Sequence, residues 1–236
     1  MKKVQIQESL ALAALLLFFG AGPAAAQDIG YSWLDMSFMG QDIDRSGVQV
    51  PIPGQSVEVA GSDGSGIRFR GSVGTWKNLY LFVDYGSTDI DVDVVITNDQ
   101  GVFLDSDEFD FTSIRGGLGW KLSVFNKTDL FAEVSYDSTD FDFGSFAGEN
   151  FDADAQEVGG ALGFRTLFGD HFELKVQGRY SAVGDVDLST LEFDTDTLYS
   201  IGFAWEVLRG LSIVGEFESG EFSSYSLGFR LYLDED

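Results

Sequence analysis

Apolar and polar residues alternate one by one along most of this chain. The clearest stretch lies near the end. From Tyr225 to Leu233 every second residue is apolar (Tyr225, Leu227, Phe229, Leu231, Leu233), with Ser226, Gly228, Arg230 and Tyr232 between them. Side chains of a β-strand point alternately to opposite faces, so such a segment carries one oily face and one small or polar face. Ten segments share the pattern: residues 32–40, 66–76, 79–85, 112–121, 130–136, 156–166, 172–181, 198–207, 211–218 and 225–233. In the third, Leu79, Leu81, Val83 and Tyr85 oppose Tyr80, Phe82 and Asp84; in the seventh, Phe172, Leu174, Val176 and Tyr180 oppose Glu173, Lys175, Gln177 and Arg179.

The connections between these segments alternate in length. Those after even-numbered segments are short, as in Trp76-Lys77-Asn78 and Leu208-Arg209-Gly210, whereas those after the first, third, fifth and seventh run to 15 residues or more, from 41–65 to about 182–197. An even number of strands with short turns at one end and long loops at the other is the pattern of an outer-membrane barrel. The expected fold is therefore all-β: an antiparallel up-and-down transmembrane β-barrel of ten strands. The count falls to eight if two segments are surface hairpins. Asn98-Asp99-Gln100-Gly101 reads as the tip of a hairpin rising above the membrane. Glycine is frequent inside the segments, where it allows the coiling that closes a barrel. A secreted soluble sandwich is the minor alternative.

The start of the chain sharpens this. Lys2 and Lys3 precede an almost wholly apolar run from Leu10 to Phe19, followed by Ala24-Ala25-Ala26. That order is expected of a secretory signal, residues 1–26, leaving a barrel domain at 27–236. The run is shorter than the roughly 20 residues a membrane-spanning helix needs. The chain has no cysteine and so does not depend on the redox state of its destination. A chain in lipid without spanning helices must close into a barrel to satisfy its backbone.

Charge divides the chain. The formal net charge is −25, which argues against nucleic acid as a partner. Under the alternating register the inward face carries Arg68, Arg70, Arg115, Arg165, Lys175, Arg179 and Arg230. It also carries Asp35, Asp84, Glu133, Glu157, Glu173, Glu206, Glu216 and Glu218. Confined charge is costly unless paired, so this balance predicts a salt-bridged, packed lumen. A barrel of about eight strands is already filled by its side chains, and ten are little wider. The long connections hold 22 acids against one basic residue, Arg45, giving an acidic crown on the expected cell-surface side. Both chain ends are then expected in the periplasm.

Chemistry is sparse. Asp89, Asp91 and Asp93 share one face of an extended strand and could hold a divalent cation, Ca2+ or Mg2+, loosely. They fail as an EF-hand loop, whose sixth and twelfth places would be Val94 and Gln100. The single histidine, His171, falls in a short turn, and with no other histidine and no cysteine nucleophile–base pairs of the usual kind are not expected. No cofactor and no enzymatic activity are expected. Trp33, Trp76, Trp120 and Trp205, with Phe125, Phe168 and Phe172, fall near the short-turn ends, as an aromatic girdle would.

The final segment, Gly228-Phe229-Arg230-Leu231-Tyr232-Leu233, resembles the C-terminal assembly signal of small outer-membrane β-barrels, broadly the OmpA/OmpX-like superfamily. It has glycine followed by two apolar positions, Leu231 and Leu233. It departs from that pattern in having Leu227 before the glycine, and Leu233 followed by Asp234-Glu235-Asp236 in place of a terminal aromatic. The resemblance spans the chain after residue 26. It implies bacterial outer-membrane lipid and lipopolysaccharide as surroundings, the barrel-assembly machinery as a partner, and a monomer. The expected role is non-enzymatic, structural or interactive through the acidic loops; the alternative is a small cation-preferring pore.

Overall fold

A computed structural model describes residues 29–43, 49–52, 55–98, 101–125, 127–146, 149–181, 196–220 and 222–233. The expected signal segment lies outside them, as does almost all of the connection 182–196. Ten long antiparallel strands form the wall: β1 (Trp33–Ile43), β3 (Gln55–Trp76), β4 (Leu79–Asn98), β5 (Gly101–Phe125), β6 (Thr128–Phe146), β7 (Glu149–Phe168), β8 (Phe172–Ser181), β9 (Asp196–Leu208), β10 (Leu211–Ser219) and β11 (Phe222–Tyr232). Each pairs with its sequence neighbour. The sheet closes because β1 pairs with β11 on one side and with β3 on the other. Ten strands therefore make a closed barrel. The short β2 (Gln49–Ile52) adds only a hairpin to the start of β3, opposite Gln55 to Glu58.

The alternation does what lipid requires. Oily side chains point outward and are exposed on every wall strand, Phe38 (73%) and Leu162 (70%) among the most. Buried residues are mostly polar: Asp35, Arg70, Ser72, Arg165 and Ser212 all lie inside. The molecule is thus inverted relative to a soluble sandwich, whose oily faces would meet each other. Tight turns close one end. Lys77 and Lys127 take positive φ there (45° and 66°), as do Gly169 (66°) and Gly210 (75°). Lys77 opens its two-residue turn and Lys127 and Gly210 close theirs, left-handed positions that such tight hairpins require.

The long connections are a correction. Much of 41–65, 86–108 and 137–153 is strand, not loop, and β3 to β7 run 19 to 25 residues. The other five wall strands have 9 to 13, about the length that crosses a bilayer. One side of the barrel therefore stands far above the other. The alternation does not stop on this tall wall; it changes sign. Beyond Tyr85 on β4 the inner residues are Thr88 and Ile90, both buried, and the outer ones are the exposed Asp89, Asp91 and Asp93. With water outside, an oily outer face is no longer needed. The hairpin tip expected at 98–101 is present as the pairing of Asn98 with Gly101.

Inside, the contents are layered from the turn end upward. Residues 29–32, just ahead of β1, fold into the turn-end mouth, where Ile29 and Tyr31 pack on Tyr80, Phe82 and Leu167. Charged side chains fill the middle. Thr88, Ile90 and Phe111 are buried above them.

Candidate functional site

The middle layer is the only part of the described residues that concentrates reactive groups. Its geometry follows from register. Arg230 on β11 stands opposite Asp35 on β1, Asp35 opposite Arg70 on β3, Arg70 opposite Asp84 on β4, Asp84 opposite Arg115 on β5, and Arg115 opposite Asp137 on β6. The sign changes at each step across six strands. Opposite charges on facing strands stabilise a sheet.

The side chains link into a longer chain of ion pairs: Asp84, Arg68, Glu216, Arg70, Asp35, Arg230, Glu173, Arg165. Eight groups of alternating sign are joined by contacts of 2.5 to 3.4 Å. They come from seven of the ten wall strands and cross the lumen. Three links are two-pronged: Arg68 donates to both oxygens of Asp84, Arg230 to both of Asp35, and Arg165 to both of Glu173. Forked pairs fix geometry as well as charge. The Asp35 side chain is fully buried between Arg70 and Arg230.

Two smaller groups flank this ladder. Arg115 reaches Glu133 at 2.8 Å and Asp137 at 3.6 Å, and the Tyr80 hydroxyl donates to Glu133. Arg179 pairs with Glu218 at 2.7 Å. Lys175 makes no ion pair among the described residues; its ammonium lies 5.4 Å from the centre of the Phe131 ring. Glu157 is half-buried, opposite Asp137, with no ion pair among them either. Glu206 lies at the turn-end mouth, where it pairs with His171 at 2.9 Å and accepts from the Gly210 amide. Asp137, counted with the crown in sequence, lies in the lumen beside Arg115. Tyr31 was not legible as a lumen residue, because it precedes the first alternating segment. Its ring lies 4.8 Å from that of Tyr80, tilted by 45°, under the cations of Lys121 and Arg165, and Arg165 also donates to the Gly30 carbonyl.

Between these groups lies a cavity of about 40 Å3, bounded among others by Ser72, Lys175, Gln177 and Glu216. That is room for a few waters.

The three candidate cation ligands stand elsewhere. Asp89, Asp91 and Asp93 are exposed on the outer face of β4. Asp91 stands between Asp63 on β3 and Glu108 on β5, and Asp89 faces Asp110 on β5. Among the described residues no three carboxylates or imidazoles converge as metal ligands would. At the turn end the exposed Asp170 is held below the usual carboxylate range by the hydrogen bond and charge of Lys127.

The aromatic girdle needs one correction. Trp76, Trp120, Phe125, Phe168, Phe172 and Trp205 are exposed on the outer face, but Trp33 points inward and Arg230 lies 4.1 Å over its ring. Position 33 shares the inner parity of Asp35. Of the terminal residues, Leu231 and Leu233 face outward and Gly228 lies in the β1–β11 seam. A Cβ there would come within 2.1 Å of the Met36 carbonyl oxygen, so this strand pairing requires glycine.

No curated protein matches the sequence. Among solved structures the chain is similar to the outer membrane protein OprG from Pseudomonas aeruginosa (12% identity, TM-score 0.46, 87% of this chain and 97% of that one). It is also similar to Ail of Yersinia pestis (10%, 0.42, 86% and 99%) and to the β domain of the Bordetella autotransporter BrkA (11%, 0.47, 86% and 99%). The wall of ten strands, oily outside and charged inside, agrees with a match to a family model over residues 11–224: the chain belongs to the outer membrane protein beta-barrel domain family and is a protein of the bacterial outer membrane.

Proposed function

We propose that this protein is a closed, non-catalytic barrel whose work is done by the acidic wall it raises above the membrane. The observation that carries the first half is the ion-pair ladder crossing the lumen. An ion crossing the barrel would have to separate charges held in forked contacts, and separating a buried pair costs several kcal/mol. The expected measurement is a planar-bilayer recording of the purified protein with no steady conductance. Stepwise, cation-selective conductance would overturn this reading in favour of a small cation-preferring pore.

The turn end is periplasmic in this reading, together with both termini, and the tall wall is extracellular. Its outer face then presents Asp63, Asp89, Asp91, Asp93, Glu108 and Asp110 just above the headgroups. Such a field gathers Ca2+ or Mg2+ from solution without a dedicated cage and so bridges the wall to lipopolysaccharide phosphates. No resident cofactor takes part, and the barrel acts as a monomer. His171, bound to Glu206 in a periplasmic turn, has no catalytic role. Adding and removing divalent cations in lipopolysaccharide-containing vesicles should change proteolytic protection of the tall wall; protection independent of cations would remove the bridging part.

A further inference from the structure

We infer that the lumen cavity is a binding site for one small monovalent anion, a halide such as chloride. Four buried hydrogen-bonding atoms of residues that line it have no protein partner: Trp33 Nε1, Arg70 Nε, the Ser72 hydroxyl and Gln177 Oε1; the Tyr31 hydroxyl, beside Arg165, lines it too. The residues Tyr31, Arg70, Ser72 and Gln177 are each more than nine-tenths buried. A buried polar group without a partner costs about 1–3 kcal/mol, so the wall as folded calls for an occupant.

The chemistry of the wall selects that occupant. Trp33 Nε1 and Arg70 Nε can only donate, and both hydroxyls can donate; Gln177 Oε1 alone must accept. Lys175, also on the wall, brings a further cation. The arginines beside it are each bound to carboxylates, while Lys175 has no carboxylate within ion-pair distance among the described residues. A surplus of donors beside one ammonium that makes no ion pair among the described residues fits a spherical acceptor of single negative charge. Water would bring as many donors as acceptors. The cavity of about 40 Å3 has no room for a larger oxyanion together with its solvation. The site depends on the lumen being packed as described and not on the role proposed for the tall wall.

The test uses the whole barrel folded in detergent at constant ionic strength in sodium chloride, sodium bromide or sodium gluconate. The halides should raise the midpoint of heat unfolding over gluconate by roughly 2–4 °C at about five times the dissociation constant, for a chain of this size. Lys175→Met should lose the halide dependence. Gln177→Glu, which places a carboxylate in the cavity, should lose it too while holding its midpoint in gluconate near that of wild type in chloride. Lys127→Ala, in an exposed turn, should respond to halide as wild type does. Crystals grown in bromide should show an anomalous peak within contact distance of Lys175 Nζ and Ser72 Oγ. Equal midpoints in the three salts, or bromide crystals with waters alone in the cavity, overturn the site. Wild-type crystals decide the matter even if a variant does not fold. Bilayer conductance would refute the closed lumen separately.

Discussion

The same strands carry charge in two opposite ways. In the lumen, Arg230, Asp35, Arg70, Asp84, Arg115 and Asp137 stand side by side on six strands with sign reversing at each step. Farther up, on the outer face of the tall wall, acid stands beside acid: Asp63, Asp91 and Glu108 in one row, Asp89 and Asp110 in the next. The lumen is confined, so most of its charges pair with a counter-ion within the chain. The outer face meets water and salt, which screen repulsion over about 10 Å. Between facing strands, opposite charges mark the lumen and like charges mark the outer face of the tall wall.

The two regions should respond to substitution with opposite sign. Asp35→Asn is expected to have the largest effect, because it leaves Arg70 and Arg230 with one fewer buried partner; the cost should be about 3–5 kcal/mol in urea unfolding from lipid vesicles. An effect below about 1 kcal/mol would mean that water solvates the ladder. The isolated Arg179–Glu218 pair sharpens the point. Either single apolar replacement should destabilise, whereas Arg179→Met with Glu218→Leu together should recover most of the loss, read as a double-mutant cycle.

Gly228→Ala tests geometry in place of charge. Its new Cβ would meet backbone of β1, at 2.1 Å from the Met36 oxygen and 2.4 Å from Ser37 Cα. A loss of about 1–3 kcal/mol and a smaller heat-modifiable band on gels are expected from overpacking at the closing seam. On the tall wall, Asp91→Asn should be neutral or stabilising by about 0.2–1 kcal/mol, an effect that shrinks as salt rises. Marked destabilisation would show that Asp91 has a structural partner. The smallest change is expected from Lys127→Ala in the turn. Its bond to Asp170 depresses that carboxylate's pKa, so any stabilisation it gives is present at neutral pH and fades as the pH falls through the depressed value. Wild type and variant should therefore converge in acid.

Much of the barrel could be read from residues alone. Where lipid lies outside and polar contents inside, the period of two is enforced at each position, and Leu34 through Phe38 or Tyr225 through Leu233 declare both strand and orientation. Reading failed where the enforcing solvent changed. Above the membrane the period persists with inverted polarity, and Asp89, Asp91 and Asp93 look like loop although they lie on β4. Residue type alone places Trp33 at the lipid boundary, whereas its parity with Asp35 places it inside, where it lies under Arg230. Tyr31 gave no signal, since one aromatic ahead of a strand has no period.

By itself the sequence determined which residues face lipid and which face the lumen, because alternation is a local property of an extended chain. It also determined that lumen charge must balance, because burial forbids the alternative. Only the tertiary structure decided which arginine meets which carboxylate. Arg230 and Asp35 are 195 residues apart, and their pairing depends on how the barrel closes and on the register of every strand between.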